Sequence, residues 1–143
     1  MTSDIRKRER GQAMVETAIA IPILLVLMVG IFEVGRAYET WQVLTNAARE
    51  GARIAILADT TDERVTNAVQ EYMTSGRLSN VDSAQIGINR NVPLTVGTAS
   101  QITVSYPFSF IVLNPVARLV VSGTNTGSAA LTMQSVALMR NEN

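Results

Sequence analysis

Residues 10–32 read RGQAMVETAIAIPILLVLMVGIF. Gly11 closes a basic tail, a lone carboxylate follows at Glu16, and no charge interrupts Thr17 to Phe32. Basic residues hold a flank on the cytoplasmic side of a membrane, and an uncharged apolar run enters the bilayer. The stretch therefore predicts an anchored chain, with Glu16 where a carboxylate is costly and needs a reason. As a helix, Thr17–Phe32 reaches about 24 Å, short of a hydrocarbon core of about 30 Å. Extension back to Gln12 reaches about 31 Å and draws Glu16 into the span or onto its rim. There the bilayer thins, or Glu16 is protonated, paired or snorkelling. Pro22 removes one helical hydrogen bond, which neighbouring groups tolerate in a membrane helix.

Working outward, 143 residues leave room for an anchor and one small domain. Hydrophobic residues make up 47% of the chain and mean hydropathy is +0.19, which suits one span with a globular remainder. Net charge is zero, so bulk charge gives no reason to expect nucleic-acid binding. Four of the 12 basic residues and two of the 12 acidic ones lie in residues 1–11, so the remainder carries a net charge of −2.

There is no Cys and no His. Disulfides, Ser-His-Asp triads, Cys-His dyads and most zinc sites are thereby excluded within this chain. Lys7 is the only lysine, so a form without the leader has no side-chain amine for isopeptide or Schiff-base chemistry. What chemistry remains is carboxylate-only, as in glycoside hydrolysis. The expectation is a chain with no catalytic residues, no metal site and no cofactor.

The helical stripe does not stop at Phe32. Val34, Ala37 or Tyr38, Trp41, Leu44, Ala48, Ala52 and Ala55 continue it, with Glu33, Arg36, Glu39, Arg49, Glu50 and Arg53 read as a mixed, solvated face. One long helix from about 12 to 57 is predicted, half in membrane and half outside. Ala47, Gly51 and Ala55 recur every four positions, a spacing that admits a close neighbour. Helix–sheet packing within the chain is favoured there over a contact between subunits. Tyr38 and Trp41 suit an aromatic belt or the sheet core.

Thr61 or Asp62 caps a second helix through Glu63–Thr74, and Gly76 ends it as a C′ residue. Asp59 and Asp62 are read as loop and cap rather than as cation ligands. Strand alternation follows in Gln85–Arg90 and Gln101–Phe110, with Pro107 at an edge or terminus. Tyr106, Phe108 and Phe110 are assigned to the core. Asn114-Pro115 reads as a turn, Val116–Val121 as a short helix or strand, Ser122–Ser128 as a loop and Ala129–Met139 as a last strand. The fold class is α+β, a long N-terminal helix packed on a small antiparallel sheet of three or four strands. Three segments follow: a cytoplasmic leader (1–11), a transmembrane helix (12–33) and an extracytoplasmic domain (34–143).

Basic residues, Gly11, four residues, Glu16 and an apolar helix form the pattern of type IV prepilins. RGQAMVETAIAIPILLVLMVGIFEVGRAY, LTNAAREGARIAI and the ending VALMRNE resemble the TadE family of tight-adherence pilus proteins. The resemblance covers residues 10–58 closely and residues 80–139 mainly by strand pattern. It implies a pilin-like fold and a minor pilin or pseudopilin in the inner (cytoplasmic) membrane. It also implies cutting by a prepilin peptidase between Gly11 and Gln12. Other pilins, pilus platform proteins and the lipid bilayer are the implied partners. Entry into the filament stays open. Thr17 stands where tight-adherence pilins often carry tyrosine.

Each residue then has a testable role. Gly11 lets a protease approach the backbone. Glu16 can pair with a new α-amino group, its own or a neighbour's, and so set the register between subunits. Alternatively it is an interfacial carboxylate that needs no partner. Two rival readings remain: an uncut anchored scaffold or chaperone of a secretion machine, and a secreted enzyme with an ordinary signal peptide. No A-x-A cleavage site supports the second.

Overall fold

The computed structural model describes residues 2–57, 59–112 and 131–141, with side chains from Gly11 onward. Helix α1 runs unbroken from Thr2 to Ala55 (54 residues), through Pro22. Its start lies ten positions before the expected Gln12. Arg, Lys and Glu are good helix formers, and Asp4 sits in the favourable field of the first turn. The basic leader thus continues the helix although it has no apolar stripe.

After a short turn comes α2 (Asp62–Ser75), capped by Thr61, whose side chain accepts from the Arg64 N–H at 3.3 Å. Its end differs from expectation. Gly76 has φ −76°, and Arg77 takes the left-handed conformation at φ 60°. The Leu78 N–H reaches the Met73 carbonyl at 3.1 Å and the Arg77 N–H reaches Thr74 at 2.9 Å, a Schellman pair. Gly76 answers to space instead: a Cβ there would lie 2.5 Å from Val43 Cγ1.

A three-residue helical turn (Val81–Ser83) leads into β1 (Gln85–Pro93), β2 (Thr98–Phe108) and β3 (Leu131–Arg140). The sheet has the order β1-β2-β3 and both pairings are antiparallel. Strand β2 ends two residues short of the expected Phe110. Phe110 turns away and meets Phe108 edge-on at 5.3 Å. Pro107 sits past the end of the β1 pairing, whose last partner on β2 is Ser105. A residue with no N–H is tolerated there because β2 has only β3 beside it. The segments read as a turn, as a helix or strand and as a loop (114–128), and the start of the last strand (129–130), lie outside the described residues.

Helices α1 and α2 cover one sheet face. Alternate β2 residues Ile102, Val104, Tyr106 and Phe108 are buried against them. Leu44, Ala47, Ala48, Ala52 and Ala55 of α1 and Val65, Val69 and Met73 of α2 complete the core. Each buried Leu, Val or Ile contributes about 1.5–3 kcal/mol.

The apolar stripe of α1 is corrected in its first half. Leu44, Ala48, Ala52 and Ala55 are buried as read, whereas Val34, Tyr38 and Trp41 are exposed. The inward positions there are Glu33 and Thr40. Spaced seven and then four residues ahead of Leu44, they share its face. Two polar residues on the inner face hid that face from a reading based on hydrophobicity.

Candidate functional site

The predicted site residues fall in two places on α1. Gly11, Gln12 and Glu16 lie on its exposed, apolar half, as does Pro22. A Cβ built at Gly11 meets nothing within 4 Å. A helical glycine costs about 0.5–1 kcal/mol relative to alanine, and nothing in the described chain requires one at that position. Thr17 donates its hydroxyl to the Ala13 carbonyl at 2.8 Å. Its one polar group is thereby satisfied without water, as a membrane helix requires.

Ala47, Gly51 and Ala55 lie in the core. A Cβ on Gly51 would sit 2.6 Å from Val69 Cγ2 and 3.3 Å from Ile102 Cγ2. Small residues on this face let α2 and β2 approach the helix axis together. These three positions are therefore used within the chain, whereas Gly11, Gln12 and Glu16 touch no part of the domain.

Glu33 belongs by pattern to the solvated face, but it is 0% exposed. Its Oε2 accepts from Arg36 Nη1 at 2.9 Å and its Oε1 from the Val112 N–H at 2.6 Å. Arg36, 29% exposed, also lies over the Phe108 ring at 5.3 Å. The chain leaving β2 is thus pinned to α1 one residue past the apolar run. Only the Glu33–Arg36 spacing hinted at this, because Val112 is too distant in sequence to be paired by pattern.

Arg90 ties the opposite end. A one-residue shift in register between Asn89 and Val92 marks a bulge in β1. Arg90, on the inward face there, donates to the Ala55 carbonyl at 3.1 Å and to Asp62 Oδ1 at 2.7 Å. It closes the C-terminus of α1, where cations are favoured. It also gives Asp62 a partner that the reading as a solvated loop had not supplied. Asn141 joins the strand ends, donating to the Arg90 carbonyl at 3.0 Å and accepting from Ser100 Oγ at 2.7 Å.

A polar cavity of about 160 Å³ lies between α1 and the turn after α2, lined by Arg36, Glu39, Arg77, Asn80, Tyr106 and others. The Tyr106 hydroxyl is spent on the Ser79 carbonyl and Arg36 on Glu33. Among the described residues no group of three or more acidic side chains has metal-binding geometry.

The family model for TadE-like protein matches residues 11–53. Across that segment the chain is similar to TadE-like proteins. The match begins at Gly11 and covers the apolar half of α1, the Glu33–Arg36 pair and the small-residue face up to Arg53. No curated protein and no solved structure matches the chain. Helix α1 is long and apolar enough to cross a membrane.

Proposed function

We infer that this TadE-like chain is a minor pilin or pseudopilin that supports assembly of the Tad pilus. In this reading residues 1–11 are cytoplasmic and α1 crosses the inner membrane. The α+β domain from residue 34 onward lies outside, beside other pilins and the platform proteins. A prepilin peptidase cuts between Gly11 and Gln12, and Glu16 pairs with an α-amino group to set subunit register. The chain is a substrate and a building part, not an enzyme.

The observation that carries the reading is the pair Gly11 and Glu16. Both are exposed, neither is needed by the domain, and both are unfavourable where they stand: a glycine within a helix and a carboxylate beside an apolar span. Residues that cost stability and stand exposed among the described residues are explained by something outside the domain. The unbroken helix through Gly11 favours a second reading, an uncut anchored scaffold.

Glu16→Ala tests the role of the carboxylate. Membrane insertion is expected to persist or improve while pilus number falls. Normal piliation in that variant rejects the register role.

A further inference from the structure

We propose that the domain rests on the bilayer, with Tyr38, Trp41 and Ile111 forming an apolar collar in the headgroup layer on the domain side, just beyond Val34. The proposal rests on the reading of α1 as a membrane span and not on the pilus role.

Ile31, Val34, Tyr38 and Trp41 are spaced three, four and three apart, so they share one face of α1. All four are exposed, Trp41 at 47%. That face points away from the sheet and α2, which pack on the side of Thr40, Leu44 and Ala47. The outward face then changes character. Gln42, Arg49 and Arg53 follow Trp41 there, while Thr45 is turned to β3 and accepts from Ser135 Oγ at 3.3 Å. Apolar, aromatic, polar and basic residues thus succeed one another along the axis, the order of a membrane–water boundary. A helix–helix seam would continue its apolar stripe; this one ends in a plane.

A second element meets that plane. Ile111, 58% exposed, precedes Val112, whose N–H is bonded to Glu33. The chain leaving β2 therefore carries an exposed apolar side chain at the height of the helix exit.

Length decides between two placements. About 20 helical residues fill the hydrocarbon core, and the headgroup layer adds about 5–8 Å on each side. If the window is Gln12–Ile31, Trp41 stands about 15 Å beyond the rim, in water. If it is Thr17–Arg36, Tyr38 and Trp41 stand about 3 and 8 Å beyond it, within the headgroups. The second window sets Glu16 at the far rim instead of inside the core. It places Glu33 within the core, where its carboxylate is fully buried and bonded to Arg36 and Val112. The collar therefore moves the end of the span from residue 33, as proposed above, to about Arg36, and Glu16 need not be drawn in.

Trp41 is the only tryptophan of the chain, so the full-length protein carries its own probe. It is reconstituted into phosphatidylcholine vesicles containing lipid brominated either near the headgroup end of the acyl chain or near its terminus. Trp41 emission should be quenched severalfold more by the first lipid than by the second, and severalfold less by aqueous iodide than free tryptophan is. Iodide quenching equal to that of free tryptophan overturns the collar. Protection from both iodide and brominated lipid also overturns it, because a protein then covers the face. In the doubly substituted chain Trp41→Phe with Ile111→Trp, the same lipid quenching is expected, and free access of iodide overturns the proposal. Failure to float with the vesicles overturns span and collar together, whereas flotation with iodide-accessible Trp41 overturns the collar alone.

Discussion

The backbone N–H of Val112 is bonded to Glu33 Oε1 at 2.6 Å, across 79 residues of chain. This one contact joins the exit of the apolar helix to the far end of the central strand. It makes the end of the apolar run and the base of the domain a single unit, with the Arg36 guanidinium between Glu33 and the Phe108 ring.

Removing the Glu33 carboxylate strands both partners. Glu33→Ala is expected to cost about 2–4 kcal/mol, because a part-buried N–H and a half-buried guanidinium lose their acceptor. Glu33→Gln keeps an acceptor and should cost roughly half as much. Urea unfolding in detergent micelles, followed by circular dichroism, measures both. An alanine variant as stable as the parent would remove Glu33 from the account of the domain's base.

Two glycines of α1 should respond oppositely to alanine. At Gly51 the added methyl meets Val69 and Ile102, and overpacking of this kind costs about 1–3 kcal/mol. At Gly35 nothing lies within 4 Å, and alanine should stabilise by about 0.5–1 kcal/mol through helix propensity. The same unfolding assay reads both, and destabilisation of equal size at the two positions contradicts the packing described.

Glu50 supplies a pH dependence outside the span. Its hydrogen bonds from Arg53, at 2.6 and 3.0 Å, hold its carboxyl below the usual carboxylate range; partial burial opposes this and the Arg53 charge adds to it. A depressed pKa in the folded state contributes stability above the unfolded value and loses it as pH falls through the folded one. Glu50→Gln should therefore cost about 0.3–0.5 kcal/mol at neutral pH. The difference from the parent should close in acid and shrink at high salt. A gap that persists at low pH would assign the effect to packing.

Much of this fold is legible in sequence where the cause is local. Thr61 announces its cap, strand alternation in β2 announces its buried face, and the four-residue spacing of Ala47, Gly51 and Ala55 announces a close approach. What escapes is set by distant partners. Glu33 reads as solvated because its acceptor role depends on Val112, and the Arg90 partner of the exposed Asp62 is likewise too distant in sequence to be read. Val34 is placed on the buried stripe, and Tyr38 and Trp41 are left between an aromatic belt and the sheet core, because apolar character alone does not tell an interior face from an outward one; all three are exposed. Gly76 and Arg77 exchange expected roles: close packing on Val43 claims the glycine and leaves the left-handed position to arginine. At the candidate site, Gly11 and Glu16 stand out in sequence because both are costly, and they stay exposed because nothing in the domain uses them.

The most direct test of the central claim is the intact mass of the protein from cells with and without the prepilin peptidase. A chain that begins at Gln12 is expected when the peptidase is present, and one that retains residues 1–11 when it is absent. The full-length mass in both strains would contradict processing at Gly11 and leave Glu16 without the amine it is proposed to pair with.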